Sequence, residues 1–278
     1  MSILSLKNIN YCYPLENEPV IQDVSFALEK GKVYGVIGEN ESGKTTLCNI
    51  MRGFIPNLYK GTLRGEVTFK DKSISEYNIG ELAAHIGYSF QNPFTQISGV
   101  KDTVYEEIAY GMENLGIPRD KMTQRVDELI VLFQLEKLKD QNPFELSGGQ
   151  KQLVALASVV ALDPEIIILD EPTSQLDPKS TEDIFQIVEY LKKAGKTIFL
   201  VEHKVDLLAE YCDEIFLLYD GRLVMQGKTA EVLSDESILQ YRVQLPQVTL
   251  FYLKLVGKKG KVPLTVAETF KALKGSGE

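Results

Sequence analysis

Cysteine is scarce. The 278 residues hold three, Cys12, Cys48 and Cys212, far apart and without a CxxC pair. This spacing offers no disulfide framework and no paired-thiol metal or redox motif, and it fits three reduced, buried thiols in a cytosolic protein. Long apolar runs are missing too. A bilayer-spanning helix needs ~20 predominantly apolar residues; Leu153 to Leu162 is only half that and reads as a core helix. The N-terminus shows no basic stretch followed by an apolar run, so no secretory signal is expected. The chain is expected in the cytosol unless a partner brings it to a membrane. Positive charge is in deficit as well. A formal net charge of −9 argues against sequence-independent nucleic-acid binding, although a local basic patch can hide inside an acidic total.

What is present describes an ordinary soluble globular chain, with 44% hydrophobic and 25% charged residues. Its length suits one large or two modest domains. Residues 3 to 9 and 24 to 28 alternate apolar and polar, as half-buried antiparallel strands do. Lys32 to Ile37 is a short strand entering a glycine loop, Thr45 to Met51 looks helical, and 66 to 69 suggests an edge strand. Thr103-Val-Tyr-Glu106 fits a capping box opening helical spacing through Ile108 and Met112. Ile166 to Leu169 and Thr197 to Val201 are unbroken runs of the kind buried in parallel sheets. Between them Ile184, Ile187, Val188 and Leu191 mark one helix face. There is no repeat and no low-complexity tract.

The glycine loop carries the first chemistry. Gly38-x4-Gly43-Lys44-Thr45 matches the phosphate-binding pattern G-x-x-x-x-G-K-[ST] between a predicted strand and a predicted helix. Glycines let backbone N–H groups converge on phosphates, and the helix N-terminus adds partial positive charge. Lys44 would reach the β- and γ-phosphates and the Thr45 hydroxyl would sit on Mg²⁺. A tight strand-to-helix turn without a ligand would have the same spacing. Two glutamates, Glu39 and Glu41, stand in this loop and raise a question of charge.

Ile166-Ile-Ile-Leu-Asp170-Glu171 supplies a second piece. Asp170 would hold Mg²⁺, through water, and Glu171 would orient or deprotonate the attacking water, an action worth ~10²–10⁴ in rate. A strand ending in acids also fits a chain leaving the core. The third piece, Leu146-Ser-Gly-Gly-Gln150, opens an apolar helix about twenty residues before that pair. Its backbone donors and Ser147 would form a second phosphate-binding helix N-terminus. One active site needs one such device; two in one chain suggest that two copies face each other and complete each other's sites.

Together these residues resemble the ABC-transporter ATPase family over nearly the whole chain. The resemblance implies an α/β fold, with a RecA-like P-loop core, an antiparallel β-subdomain and a helical subdomain near 92 to 160. The nucleotide-binding domain would cover 1–240 and a C-terminal helical extension 241–278. The loop Gly38, Glu39, Asn40, Glu41, Ser42, Gly43, Lys44, Thr45 and Thr46 would be the Walker A segment, Ile166 to Asp170 the Walker B strand and Glu171 the catalytic base. Ser147, Gly148, Gly149 and Gln150 match the family signature and would face a nucleotide. Gln91 in Phe90-Gln-Asn-Pro93 falls at the Q-loop glutamine, contacting Mg²⁺, attacking water and the membrane partner. Ser174-Gln-Leu-Asp177 looks like the D-loop, and His203 stands where the switch histidine belongs. Tyr13, with Tyr11 as the alternative, sits where the family stacks an aromatic on adenine. His85 carries no role and reads as a packed or surface histidine.

A narrower resemblance is to the energy-coupling factor transporter ATPases. Gln91-Asn-Pro93 to Gln96-Ile97, Val104-Tyr-Glu-Glu-Ile-Ala-Tyr-Gly111 with Glu113-Asn114, and Val201-Glu-His-Lys-Val-Asp-Leu207 with Asp220-Gly-Arg222 carry it. It implies ATP and Mg²⁺ as cofactors and a second ATPase chain, identical or sister, as partner. A transmembrane coupling subunit, a substrate-binding membrane subunit and a place on the cytoplasmic face of the membrane complete the expectation, with no nucleic acid. The substrate would be a vitamin or a metal ion. The same motifs also fit a conventional ABC importer or exporter. A soluble ABC protein of DNA repair would need a coiled-coil insertion between Gln91 and Leu146, where only about fifty-five residues lie.

Two departures stand out. Relatives usually have glycine at position 41 and often arginine at 153, where this chain has Glu41 and Leu153. At a positive φ a non-glycine costs about 1–2 kcal/mol. A carboxylate ~4 Å from a phosphate charge adds about 1 kcal/mol of repulsion in water and about 4 at an effective dielectric near 20. Glu39 and Glu41 are therefore expected to point away from the phosphates. After residue 240, Leu245-Pro246 is a helix start and Thr265-Val-Ala-Glu268 a capping box, suggesting two short helices. Their apolar faces could pack on the body or meet the paired ATPase. Lys258 to Lys261 reads as a solvated turn and Gly275 to Glu278 as a frayed tail.

Overall fold

Alternation shapes the first two strands. β1 (Ser2–Cys12) and β2 (Ile21–Glu29) bury every second or third side chain and pair antiparallel, Leu6 opposite Phe26 and Tyr11 opposite Ile21. In this computed structural model residues 2–258 and 261–275 are described. They fall into two compact units, one made of the chain up to Ile74 and again from Leu200, the other of Ser75–Phe199.

In the first unit the chain continues through β3 (Val33–Ile37), buried along its whole length, into α1 (Lys44–Met51) and the short α2 (Phe54–Asn57). β4 (Thr62–Phe69) pairs with β1 and, through a two-residue turn, with β5 (Lys72–Ser73). Lys70 and Asp71 both take positive φ, 50° and 61°, the geometry that matches a hairpin turn to strand twist. The expected edge strand at 66–69 is thus an inner strand of the sheet β2-β1-β4-β5; the two-residue β5 beyond it was too short to show a pattern.

The second unit opens with α3 (Ile79–His85), capped reciprocally by Asn78 and Glu81, and β6 (Ile86–Ser89). α4 (Val104–Asn114) starts where Thr103 accepts from the Glu106 N–H, and α5 (Arg119–Leu132) follows a break at Gly116 and Pro118. α6 (Gly148–Ala161) is buried from Lys151 on, apart from the part-exposed Leu153 and Ser158, and leads to β7 (Ile166–Asp170), which pairs in parallel with β6. α7 (Pro178–Lys193) buries Ile184, Ile187, Val188 and Leu191, the face expected from spacing. Each such burial stabilises by about 1.5–3 kcal/mol, more than any surface ion pair on that helix offers. β8 (Thr197–Val201), buried throughout, carries the chain back to the first unit. The expected helical segment near 92–160 lies inside the second unit, which also holds β6, β7 and α7.

α8 (Val205–Tyr211), β9 (Glu214–Tyr219), β10 (Arg222–Lys228) and α9 (Thr229–Val232) complete the first unit's main body. β9 runs parallel to β3 and antiparallel to β10. Gln22 N–H donates to Gly221 O at 2.8 Å and Arg222 Nη2 to Gln22 Oε1 at 2.6 Å, tying β10 to β2. α10 (Gln247–Leu255), beginning after Pro246, and α11 (Val266–Gly275) are the two expected tail helices. The expected turn at Lys258–Lys261 falls partly on residues 259 and 260, and the expected frayed tail on 276–278; these lie outside the described residues, while Gly275 is the last residue of α11. No helix among the described residues is long and apolar enough to cross a membrane.

Candidate nucleotide site

In the first unit, β3 delivers the chain to Gly38 and α1 receives it at Gly43, whose φ of 99° suits glycine. A Cβ on Gly38 would lie 2.1 Å from Leu218 O, so only glycine lets β9 and the loop approach this closely. Lys44 is 5% exposed, and its Nζ donates to Gly38 O at 3.0 Å and to Glu39 O at 2.6 Å. The ammonium is thereby held over the mouth of its own loop. Ser42 Oγ is buried with no hydrogen-bond partner, a polar atom that an incoming phosphate oxygen can satisfy. The cradle fits a polyphosphate: a cation, an orphaned hydroxyl and a helix N-terminus converge on one loop.

The charge question has a structural answer. Glu41 is exposed and takes φ 66°, the left-handed conformation that usually belongs to glycine. Glu39 Oε1 meets Arg242 Nη1 at 3.3 Å. One carboxylate is solvated and the other has a cation from 203 residues away. A cavity of about 610 Å³ beside them is lined by Gly38, Glu39, Asn40, His203, Arg242 and Gln244. His203 is exposed at its rim, with its backbone N–H on Glu202 Oε2 at 2.9 Å and its carbonyl accepting from Val205 N–H.

Of the two tyrosines, Tyr11 is fully buried with its hydroxyl on Lys60 O at 2.8 Å, and burial pushes its pKa up to about 12. Tyr13 is half-buried, edge-on to Tyr11, and its hydroxyl meets Thr46 Oγ1 at 3.0 Å. Tyr13 is therefore the more exposed of the two rings, with its hydroxyl on Thr46. Thr45 is exposed on the first turn of α1.

In the second unit, Asp170 ends β7 at 2% exposure, and Tyr88 of β6 donates its hydroxyl to Asp170 Oδ2 at 2.7 Å. Glu171 follows with φ 49°, a conformation costing about 1–2 kcal/mol for a residue with a Cβ. Strain of this kind persists where surrounding structure demands it, and active sites are where it collects. Gln91 Nε2 donates to Glu171 Oε2 at 2.7 Å, bringing together two residues eighty positions apart. The oxygen donors of Asp170 and Gln91 suit a hard divalent cation such as Mg²⁺.

Ser147 caps α6 reciprocally: its Oγ accepts from Gln150 N–H at 3.3 Å, and Gln150 Oε1 accepts from Ser147 N–H at 3.0 Å. The Gln150 side chain is thus committed to the cap, while Gly148 meets nothing within 4 Å of a built Cβ and leaves the helix end open. A Cβ on Gly149 would sit 2.4 Å from Ser180 Oγ, so this glycine seats α6 against α7. Asp177 caps α7, accepting from Lys179 N–H at 2.9 Å and Ser180 N–H at 3.0 Å, with Oδ2 on Ser180 Oγ at 2.7 Å. The bond from the Ser180 hydroxyl, reinforced by the Ser180 and Lys179 N–H groups, holds its carboxyl below the usual range. His85 pairs with Glu165 at 3.1 Å, away from all of these.

Two residues that touch the site escaped sequence reasoning, Tyr88 through Asp170 and Arg242 through Glu39; both reach partners that no local pattern reveals.

A family profile described as ABC transporter matches residues 21–174. An energy-coupling factor transporter ATP-binding protein, EcfA, of Methanocaldococcus jannaschii is 35% identical over 267 residues, covering 95% of this chain and 92% of its own. A putative ABC transporter ATP-binding protein of Pyrococcus horikoshii is 36% identical over 278 residues, covering 99% and 97%. Among solved structures, cbiO1 from Clostridium perfringens, part of the ABC transporter complex cbiONQ, superposes with a TM-score of 0.76 at 30% identity over 91% of this chain and 96% of its own. A dimeric ATP-binding cassette in a post-hydrolysis state with ADP and phosphate gives 0.70 at 28% identity over 81% and 98%. The chain belongs to the ABC transporter family as an ATPase.

Proposed function

We propose that this chain is the ATPase subunit of an energy-coupling factor type importer, working as a pair of ATPase chains beneath membrane subunits that take up a vitamin or a metal ion. What supports the two-chain reading is the presence in one chain of two helix N-termini, at α1 and at α6, whose sequences suit phosphate. Each nucleotide would lie between the Lys44 loop of one chain and the Ser147 turn of its partner. Tyr13 would stack on the adenine, and Lys44, Thr45 and Thr46 would hold the phosphates. Thr45, Asp170 and Gln91 would hold Mg²⁺, which supplies neutralisation of the charge on the transferring phosphoryl group. Glu171, oriented by Gln91, would take the proton of the attacking water. His203 would sense the γ-phosphate and Asp177 would line the interface.

The side facing the membrane partner is supported by exposed apolar groups beside the Gln91 loop. Phe94, Val100 and Phe144 are 52%, 64% and 51% exposed in the same unit. A second set, Phe251, Leu255, Val266 and Phe270 on α10 and α11, is equally exposed and suits contact with the paired ATPase. Likeness to EcfA and to cbiO1 supports the importer type.

Phosphate release by the purified chain tests the chemistry. Lys44→Ala should abolish nucleotide binding, whereas Glu171→Gln should keep binding and lower hydrolysis by about 10²-fold or more. Retention of full hydrolysis by Glu171→Gln would overturn the assignment of the base.

A further inference from the structure

Lys151 is out of place by the ordinary rules for helices. It stands in the first turn of α6, where the helix dipole disfavours a cation, yet it is 4% exposed. Helix stability does not explain it. Its partners do. Side chains on a helix lean toward the N-terminus, and the Lys151 ammonium accordingly reaches back to Phe144 O at 2.9 Å and to Leu146 O, the two carbonyls that bracket the entry to Ser147. The same ammonium stands 4.6 Å from the centroid of the Phe94 ring, which belongs to the turn just after Gln91.

The Gln91 loop is bound to α6 elsewhere as well. Gln96 Oε1 accepts from Phe90 N–H at 3.0 Å while its Nε2 donates to Ala155 O at 3.0 Å. Buried Gln152 donates to Ser89 Oγ at 3.3 Å. Residues on both sides of Gln91 are therefore fastened to the helix whose first turn carries Ser147.

We propose that Lys151 is a positioning residue for ATP hydrolysis: with Phe94 it joins the Gln91 loop to the Ser147 turn, so that the two are displaced as one piece. This rests on the two-chain reading above, in which Gln91 attends one nucleotide and Ser147 the partner chain's nucleotide. A change at Gln91 on hydrolysis would then be felt directly at the other site.

A double-mutant cycle on the full chain tests it, reading kcat, KM and the ATP affinity of the isolated chain. Lys151→Met keeps the aliphatic stem and removes the ammonium; Phe94→Leu keeps apolar bulk and removes the ring. We expect kcat to fall about tenfold in Lys151→Met and about threefold in Phe94→Leu, with ATP affinity and KM within about twofold. The double variant should be no worse than Lys151→Met alone, within about twofold, because both remove one joint. Should Lys151→Met not accumulate as folded protein, the cycle is run with Lys151→Gln, which also removes the charge, under the same criterion. Losses that multiply, or a kcat within about twofold of wild type in the folded Lys151 variant, would overturn the proposal. A wild-type rate per chain that does not rise with chain concentration would instead contradict the two-chain reading, and the cycle would still judge the Lys151–Phe94 joint.

Discussion

Gln91 Nε2 lies 2.7 Å from Glu171 Oε2, so the residue expected to contact the membrane partner directly holds the residue expected to activate water. On the proposed roles, this one hydrogen bond would link the transport side to the chemical step. Gln91→Ala removes it and leaves the Lys44 loop, in the other unit, untouched. Nucleotide affinity should stay within about twofold, since the phosphate contacts remain, while transport by the assembled complex is lost. Binding by a fluorescent nucleotide and uptake in vesicles separate the two; a variant that transports normally would remove Gln91 from the coupling route.

Glu41 combines a left-handed backbone with an exposed carboxylate. Glu41→Gly should relieve about 1 kcal/mol of backbone strain, a rise in thermal midpoint of a few degrees at most. ATP affinity should remain within about threefold, because the carboxylate is solvated. A gain above about tenfold, equal to about 1.4 kcal/mol, would mean that Glu41 repels the bound phosphates.

The Glu39–Arg242 pair makes the opposite prediction. Arg242→Ala leaves the Glu39 charge without its cation beside the loop. ATP should bind a few-fold more weakly at low salt, and the deficit should shrink as ionic strength shortens the Debye length from about 30 Å at 0.01 M to about 8 Å at 0.15 M. A salt-independent loss would point to packing rather than charge.

Tyr88 fixes one oxygen of Asp170. Partners of a metal-holding carboxylate set its orientation, and their loss commonly costs about 10–100-fold in metal affinity or activity. Tyr88→Phe should raise the Mg²⁺ concentration for half-maximal hydrolysis about tenfold, with nucleotide binding in the absence of Mg²⁺ unchanged. Equal Mg²⁺ dependence in both proteins would show that Tyr88 only packs.

In the C-terminal extension, Glu268 accepts from Leu264 N–H at 2.9 Å, with further help from Lys261 and Thr265, and this holds its carboxyl below the ordinary value. A depressed folded-state pKa stabilises above the unfolded value, near 4.3, and the contribution disappears as pH falls through the folded value. Amide exchange in α11 should accelerate below about pH 4 in the wild type and lose that dependence in Glu268→Gln.

Much of the molecule was legible before its structure because its chemistry is local. The strand, loop and helix around Gly38 to Thr45 follow from spacing, and the buried runs at 166–169 and 197–201 are the strands β7 and β8. The tail helices were visible from Pro246 and Thr265, although Glu268 reaches back chiefly to Leu264 N–H, the residue before the cap, with Thr265 a lesser partner. What stayed hidden depends on long-range closure. Tyr88 meets Asp170 across 82 positions and Arg242 meets Glu39 across 203, and no period or propensity encodes such pairs. Gln150, expected to face a nucleotide, closes the cap of α6 with its side chain, a reciprocal bond with Ser147 that the three-residue spacing permits.

The most direct measurement is affinity purification of this chain from detergent-solubilised membranes of its own host, identifying what accompanies it. Two small, very hydrophobic subunits together with an ATPase partner are the predicted result, and the substrate-binding subunit would then indicate the nutrient. Recovery with ribosomes or DNA-repair proteins alone would contradict the transport role, while leaving the ATPase chemistry of Lys44, Asp170 and Glu171 in place.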